Sequence, residues 1–282
     1  MYYQTFTTLK PILTHPSPVT HIHVSSIHFG VDNNNSPYIH LNNQSPYDYK
    51  FDNVWSELEQ AAKMGISVKV MVGGAGGGYS TLFSNFNVYY SFLADLLRAK
   101  PFISGVDLDI EESCSIENVK LLIRTLKEDF KNTLTISMAP IQSSLETDEP
   151  GMAGFVYKDL LQSPEGKLID YFCVQFYSDF SCDAYDQIVK NGYLPEMIVM
   201  GALAGSTNLS EIEKCVEKYK TNFGGAFVWE FCFAKPSPLQ WAQNINDAIK
   251  SKNKNLTNID ATSWDFLLTY CLPKGGRLFS FQ

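Results

Sequence analysis

Residues 102–112 read Phe-Ile-Ser-Gly-Val-Asp-Leu-Asp-Ile-Glu-Glu. Asp107, Asp109 and Glu111 alternate with Val106, Leu108 and Ile110. Alternate side chains of a strand share a face, so three carboxyl groups point one way and three β-favouring apolar residues the other. A row of acids is not an ordinary core. Like charges this close resist being ionised together, so at least one of their pKa values must rise. One acidic and one apolar face suit a closed barrel with its chemistry at the centre. In a (β/α)8 barrel that chemistry sits at the C-terminal ends of the strands, which puts Glu111 nearest the mouth.

Outward from this stretch, strand-like runs alternate with helix-like ones, the pattern of a parallel sheet. Strands are expected at Met1–Phe6, His21–Phe29, Ile66–Val72, Thr133–Pro140, Ile169–Tyr177, Met197–Ala204 and Gly224–Phe231, which with the acidic strand makes eight. Amphipathic spacing predicts helices from Asp52, a candidate cap, to Gly65, and over Phe86–Ala99, Ile116–Phe130, Ala153–Gln162, Leu209–Tyr219 and Pro238–Lys250. Ser115 is the candidate cap of the third of these, and residues 30–50 read as a loop. The expected architecture is an α/β fold, a (β/α)8 barrel over 1–252. A short C-terminal extension, 253–282, is expected to pack on it through Trp264, Phe266, Leu267 and Leu268.

The length, 282 residues, suits one such barrel, which typically needs about 250. A net charge of −8 argues against nucleic acid as a partner and leaves uncharged polymers open. No apolar run reaches the ~18 residues of a membrane span. Met1–Phe6 lacks the basic and apolar regions of a signal peptide, so the chain is expected to be intracellular or to have lost its leader. A monomer is expected. The six cysteines show no metal-type Cys-x-x-Cys spacing, and without a leader mostly free thiols are expected. His21 and His23 share strand parity, but no acid or cysteine lies beside them in sequence. They read as structural, with no metal and no cofactor implied. The glycine-rich run 73–78 matches neither nucleotide-binding pattern.

Ser104–Glu111 resembles the Asp-x-x-Asp-x-Asp-x-Glu signature of glycoside hydrolase family 18, the chitinase family, with Ser104 where the first Asp usually stands. Gly73-Gly74 resemble the family's Ser-x-Gly-Gly strand ending, with Met71 replacing the Ser. Met138-Ala139-Pro140, the pair Gln175 and Tyr177, and Trp229 resemble its later strand endings; Ser178 departs from the usual Asp or Asn after the Tyr. The matches fall in order over about residues 1–250. Some members carry an insertion after the seventh strand that deepens the cleft. This chain has no room for one, which implies an open groove and internal cleavage.

The resemblance implies hydrolysis of β-1,4-linked N-acetylglucosamine, in chitin or a related oligosaccharide, with the substrate's own acetamide as nucleophile. It implies Glu111 as acid and base, Asp109 as acceptor from the acetamide N–H, Tyr177 as donor to its oxygen, and Asp107 as Asp109's proton-sharing partner. Trp229, Gln175, Met138, Gly73 and Gly74 would line the sugar site. The missing acid at Ser104 would alter the support beneath Asp107. An N-glycan endo-β-N-acetylglucosaminidase and a non-catalytic sugar-binding relative are the alternatives.

Overall fold

In the computed structural model, which describes residues 1–14 and 16–254, nine strands form one sheet. They are β1 (Tyr2–Tyr3), β2 (His21–Val31), β3 (Pro37–Leu41), β4 (Ser67–Gly73), β5 (Ile103–Asp109), β6 (Thr135–Met138), β7 (Tyr171–Gln175), β8 (Ile198–Leu203) and β9 (Ala226–Trp229). Eight run parallel in the order β1-β2-β4-β5-β6-β7-β8-β9, while β3 folds back antiparallel on β2. The helices are α1 (Asp52–Lys63), α2 (Tyr79–Ser84), α3 (Phe86–Ala99), α4 (Ile116–Asp129), α5 (Gln142–Glu146), α6 (Tyr157–Gln162), α7 (Cys182–Lys190), α8 (Leu209–Tyr219) and α9 (Pro238–Lys254). This is the (β/α)8 barrel, nearly closed. Its seam is bridged by a side chain: Glu230, just past β9, accepts the backbone N–H groups of Gln4 and Thr5 at 2.8 and 3.1 Å, and the Thr5 hydroxyl.

Strand alternation divides the apolar residues into two bodies. Val68, Val70, Val72, Val106, Leu108, Ile136, Phe172 and Val174 belong to the large core between strands and helices. Tyr2, Met71, Ala139, Cys173 and Phe227 form a separate cluster within the barrel, with Tyr177 and Trp229 packed against it. On β5 the apolar half of the alternation faces the helices and the acidic half faces the lumen.

Several expectations need correction. Residues 30–50 contain β3, whose Ile39 and Leu41 are buried while Pro37 and Tyr38 are exposed. The polar, proline-bearing composition of an edge strand hides its alternation. Asp52 does not cap α1: it is the helix's first residue, and Asp48 instead caps the preceding turn by accepting from Lys50 N. Ser115 stands at the N-cap of α4 without a side-chain cap bond. The expectation of mostly free thiols fails at Cys182 and Cys215, which form a disulfide between the start of α7 and the body of α8. Cys114, Cys173 and Cys232 are free. The last helix runs through Lys254, past its expected end at Lys250. The rest of the extension, with Trp264, Phe266, Leu267 and Leu268, lies outside the described residues. Among the described residues no helix is long and apolar enough to cross a membrane.

Candidate active site

The acidic row climbs β5 into the mouth. Asp107 is fully buried, Asp109, the last residue of the strand, is 4% exposed, and Glu111 stands two residues beyond it, half-buried. Each acid meets different partners. Asp107 accepts the Tyr2 hydroxyl at 2.6 Å and the Ser137 hydroxyl at 2.5 Å, and His23 Nδ1 lies 3.3 Å away. Burial alone would raise its pKa; the bonds and charge offered by His23, Ser137 and Tyr2 outweigh it and hold Asp107 below the usual carboxylate range. Asp109 goes the other way. Burial, then the charges of Glu111 and Asp107, push its pKa well up. Of the two, Asp109 is therefore the acid that holds a proton more readily.

Gln175 ties the upper two acids together. Its amide nitrogen lies 3.3 Å from Asp109 Oδ1 and 3.3 Å from Glu111 Oε1, and donates to the Ala139 carbonyl at 2.9 Å. Tyr177, two residues on, packs on the inner cluster. Burial first, then the charges of Asp109 and Glu111, keep its phenol protonated, so it is available as a donor. Trp229 ends β9 on the lumen side, its ring 5.4 Å from that of Tyr2.

Gly73 and Gly74 have φ of +89° and +86°, a region that favours glycine. A Cβ on Gly73 would come within 2.4 Å of the Asp109 carbonyl oxygen. One on Gly74 would meet Met71 Cε at 2.5 Å and Asp109 Oδ2 at 3.2 Å. The Gly74 N–H donates to the Asp109 carbonyl at 2.8 Å. These glycines bring the backbone against the middle acid. Past them, Glu112 accepts the N–H groups of Gly78 and Tyr79, the latter at 2.5 Å. The donors a phosphate would need are thus engaged by the chain's own carboxylate. A groove of about 560 Å³ opens beside this loop, lined by Gln4, His28, His40, Met71 and Trp229 among others.

Two sequence readings change. Met138 does not line the pocket: it is fully buried in the helix-facing core, paired in register with Leu108. Alternation turns its neighbour Ala139 inward, and Ala139 supplies the carbonyl that Gln175 binds. Ser104 does not sit beneath the acids. It is the extra residue where the β4–β5 register shifts, and its hydroxyl bonds Ser67 Oγ at 2.7 Å and the Val68 carbonyl at 3.1 Å. Sequence reading missed Ser137, His23 and Lys69 as partners of the row. The visible signal was parity: each falls at an inward-facing position of its strand.

The chain closely resembles a fungal endo-β-N-acetylglucosaminidase of glycosyl hydrolase family 18. The two share 30% identity over 89% of this chain and 97% of that one, with a TM-score of 0.78. The chain belongs to glycoside hydrolase family 18. It is a glycosidase. A second family relative in structure, chitinase ChiC from Aspergillus fumigatus, is 29% identical over 86% of this chain and 95% of that one, with a TM-score of 0.75. A family 18 chitinase from Pseudoalteromonas aurantia, 20% identical over 88% and 98% of the two chains at a TM-score of 0.65, shares the fold. No protein-family model and no curated protein sequence matches the chain. β8 passes to α8 in five residues, between Leu203 and Leu209.

Proposed function

We propose that the chain hydrolyses β-1,4-linked N-acetylglucosamine polymers such as chitin, with retention and with the substrate's acetamide as nucleophile. The observation that carries this reading is the Gln175 amide, 3.3 Å from both Asp109 and Glu111. It holds a raised-pKa acid and the acid nearest the mouth side by side, above an ionised Asp107.

Glu111 protonates the glycosidic oxygen as that bond breaks. The acetamide oxygen of the sugar giving up its C1–O bond attacks C1, and an oxazolinium ion forms. Asp109 accepts from the acetamide N–H while Tyr177 donates to its oxygen, which aligns the nucleophile. Asp109 shifts its shared proton towards Asp107 as positive charge grows on the acetamide. Water then adds to C1 as the bond from C1 to the acetamide oxygen breaks and the acetamide is restored; the water gives its proton to Glu111, the shared proton returns to Asp109, and the product leaves with net retention. Gly73 and Gly74 shape the floor and Trp229 packs its ring on the sugar's apolar face. The short β8–α8 link supports an open groove and internal cleavage.

A second reading, endo-cleavage of N-glycans by the same steps, is favoured by the 30% identical relative, itself an endo-β-N-acetylglucosaminidase. Incubation with chitin oligomers beside a high-mannose glycopeptide, with products read by mass, separates the two. Shortened oligomers with an intact glycopeptide support the chitinase reading, and the reverse supports the second. Binding with neither substrate cut would leave a lectin-like protein. Oligomers carrying a free amine at the cleaved sugar should resist hydrolysis, because the nucleophile is missing.

A further inference from the structure

Lys69 is fully buried inside the barrel, one inward-facing position below Met71. Its stem passes over Gly105, where a Cβ would come within 3.0 Å of Lys69 Cε. The ammonium lies 4.1 Å from the Tyr171 ring centroid and donates to Ser137 Oγ at 3.3 Å. Ser137 in turn donates to Asp107 Oδ1 at 2.5 Å. A cation, a hydroxyl and a carboxylate thus stand in line, each end shut away from water. A buried charge is costly unless an opposite charge compensates it.

We infer that Lys69 is the counter-charge of Asp107, acting through Ser137, and is thereby a positioning residue for the acidic row. The inference rests on the catalytic reading given above, but the pair itself can be tested without activity.

The other groups around this pocket leave Lys69 as the cation that serves Asp107 at neutral pH. From β2, His21 and His23 are lowered to about 3 and about 4, by burial first, so the His23 charge that acts on Asp107 in acid is gone at pH 7. The Met1 amino group, beside β2, is lowered to about 6, again by burial first. From β7, burial keeps the protons on Tyr171 and Cys173. Asp170 before β7 and Lys127 of α4 pair with each other at 3.5 Å. Lys69 itself is lowered by burial to about 8, with Asp107 the leading opposing influence, so it carries its proton at pH 7. The Lys69 charge then favours the ionised form of Asp107.

The test is nitrogen NMR of the full chain labelled at lysine Nζ. The wild type should show an exchange-protected ammonium resonance at pH 6.5, assigned to Lys69 by its absence from K69M and distinct from that of buried Lys127, titrating near pH 8. In D107N that midpoint should fall by more than one pH unit. An uncharged buried amine at pH 6.5, or a midpoint unmoved by D107N, overturns the inference. In K69M the kcat–pH profile on chitin oligomers should lack an inflection near pH 8 that the wild type shows; the same inflection in both chains also overturns it. If K69M does not fold, the wild-type and D107N spectra decide. If the spectra behave as expected while no glycan is cut, the pairing stands and the catalytic reading falls.

Discussion

Glu230 accepts the backbone N–H of Gln4 at 2.8 Å across 226 positions of sequence. One side chain therefore stands in for ladder bonds between the first and last barrel strands. With Glu230 replaced by alanine, the Gln4 and Thr5 amides and the Thr5 hydroxyl lose their acceptor in a nearly closed seam. Bonds to charged groups contribute about 1.5–3 kcal/mol each. E230A should cost roughly 3 kcal/mol in urea unfolding, and E230Q less, because it keeps one acceptor oxygen. Equal midpoints for wild type and E230A would show that the seam closes without this residue.

Glu111→Gln keeps shape and removes the transferable proton. General acid–base catalysis contributes about 10²–10⁴-fold, so turnover should fall at least that far while oligosaccharide affinity, read by calorimetry, changes little. Near-normal turnover would remove Glu111 from its proposed role.

Asp109 links pH to stability. Its pKa is raised in the folded chain, by burial first and then by Glu111 and Asp107, while the unfolded value is about 3.9. The folded state then binds more protons than the unfolded state above that value. This contribution is fully present below about pH 4 and is lost as pH rises through the folded pKa. D109N cannot titrate, so its stability relative to wild type should climb between pH 4 and 7 in thermal melts. A constant difference across that window would show that Asp109 titrates normally.

Gly65 and Gly74 make a matched pair, with φ of +84° and +86°. A Cβ on Gly65 meets nothing within 4 Å, whereas one on Gly74 meets Met71 and Asp109. G65A should cost only the left-handed backbone strain, about 1–2 kcal/mol, with kcat unchanged. G74A should add a steric penalty and displace Asp109, cutting kcat by tenfold or more. Comparable kcat losses in both would mean that the clash at Asp109 is relieved cheaply.

That the acidic row, the glycine pair, Gln175, Tyr177 and Trp229 come together at the barrel mouth was legible because strand parity places each of them there; their roles are the proposal. Met138 was misread by one position: within Ser-Met-Ala-Pro nothing local says which residue turns inward, and the register with Leu108 decides it. The residue under Asp107 was sought at Ser104, on the same strand, but comes from β4 as Lys69. Parity turns Lys69 inward, but which residue of β5 it meets is set by the register shift between Val68 and Lys69, which no local pattern encodes. The Cys182–Cys215 bond, spanning 33 positions, likewise follows from how α7 and α8 pack.

The ring of strands also acts as a partition. Outside it, aliphatic side chains hold the helices in place; inside it lie a few aromatics, a sulfur or two and the acids proposed to act on a sugar. Changes on the inner wall can retune chemistry while the outer layer keeps the scaffold standing. Two enzymes that cut different glycans can thus share one frame, and the lumen is where evolution, or an engineer, has room to experiment.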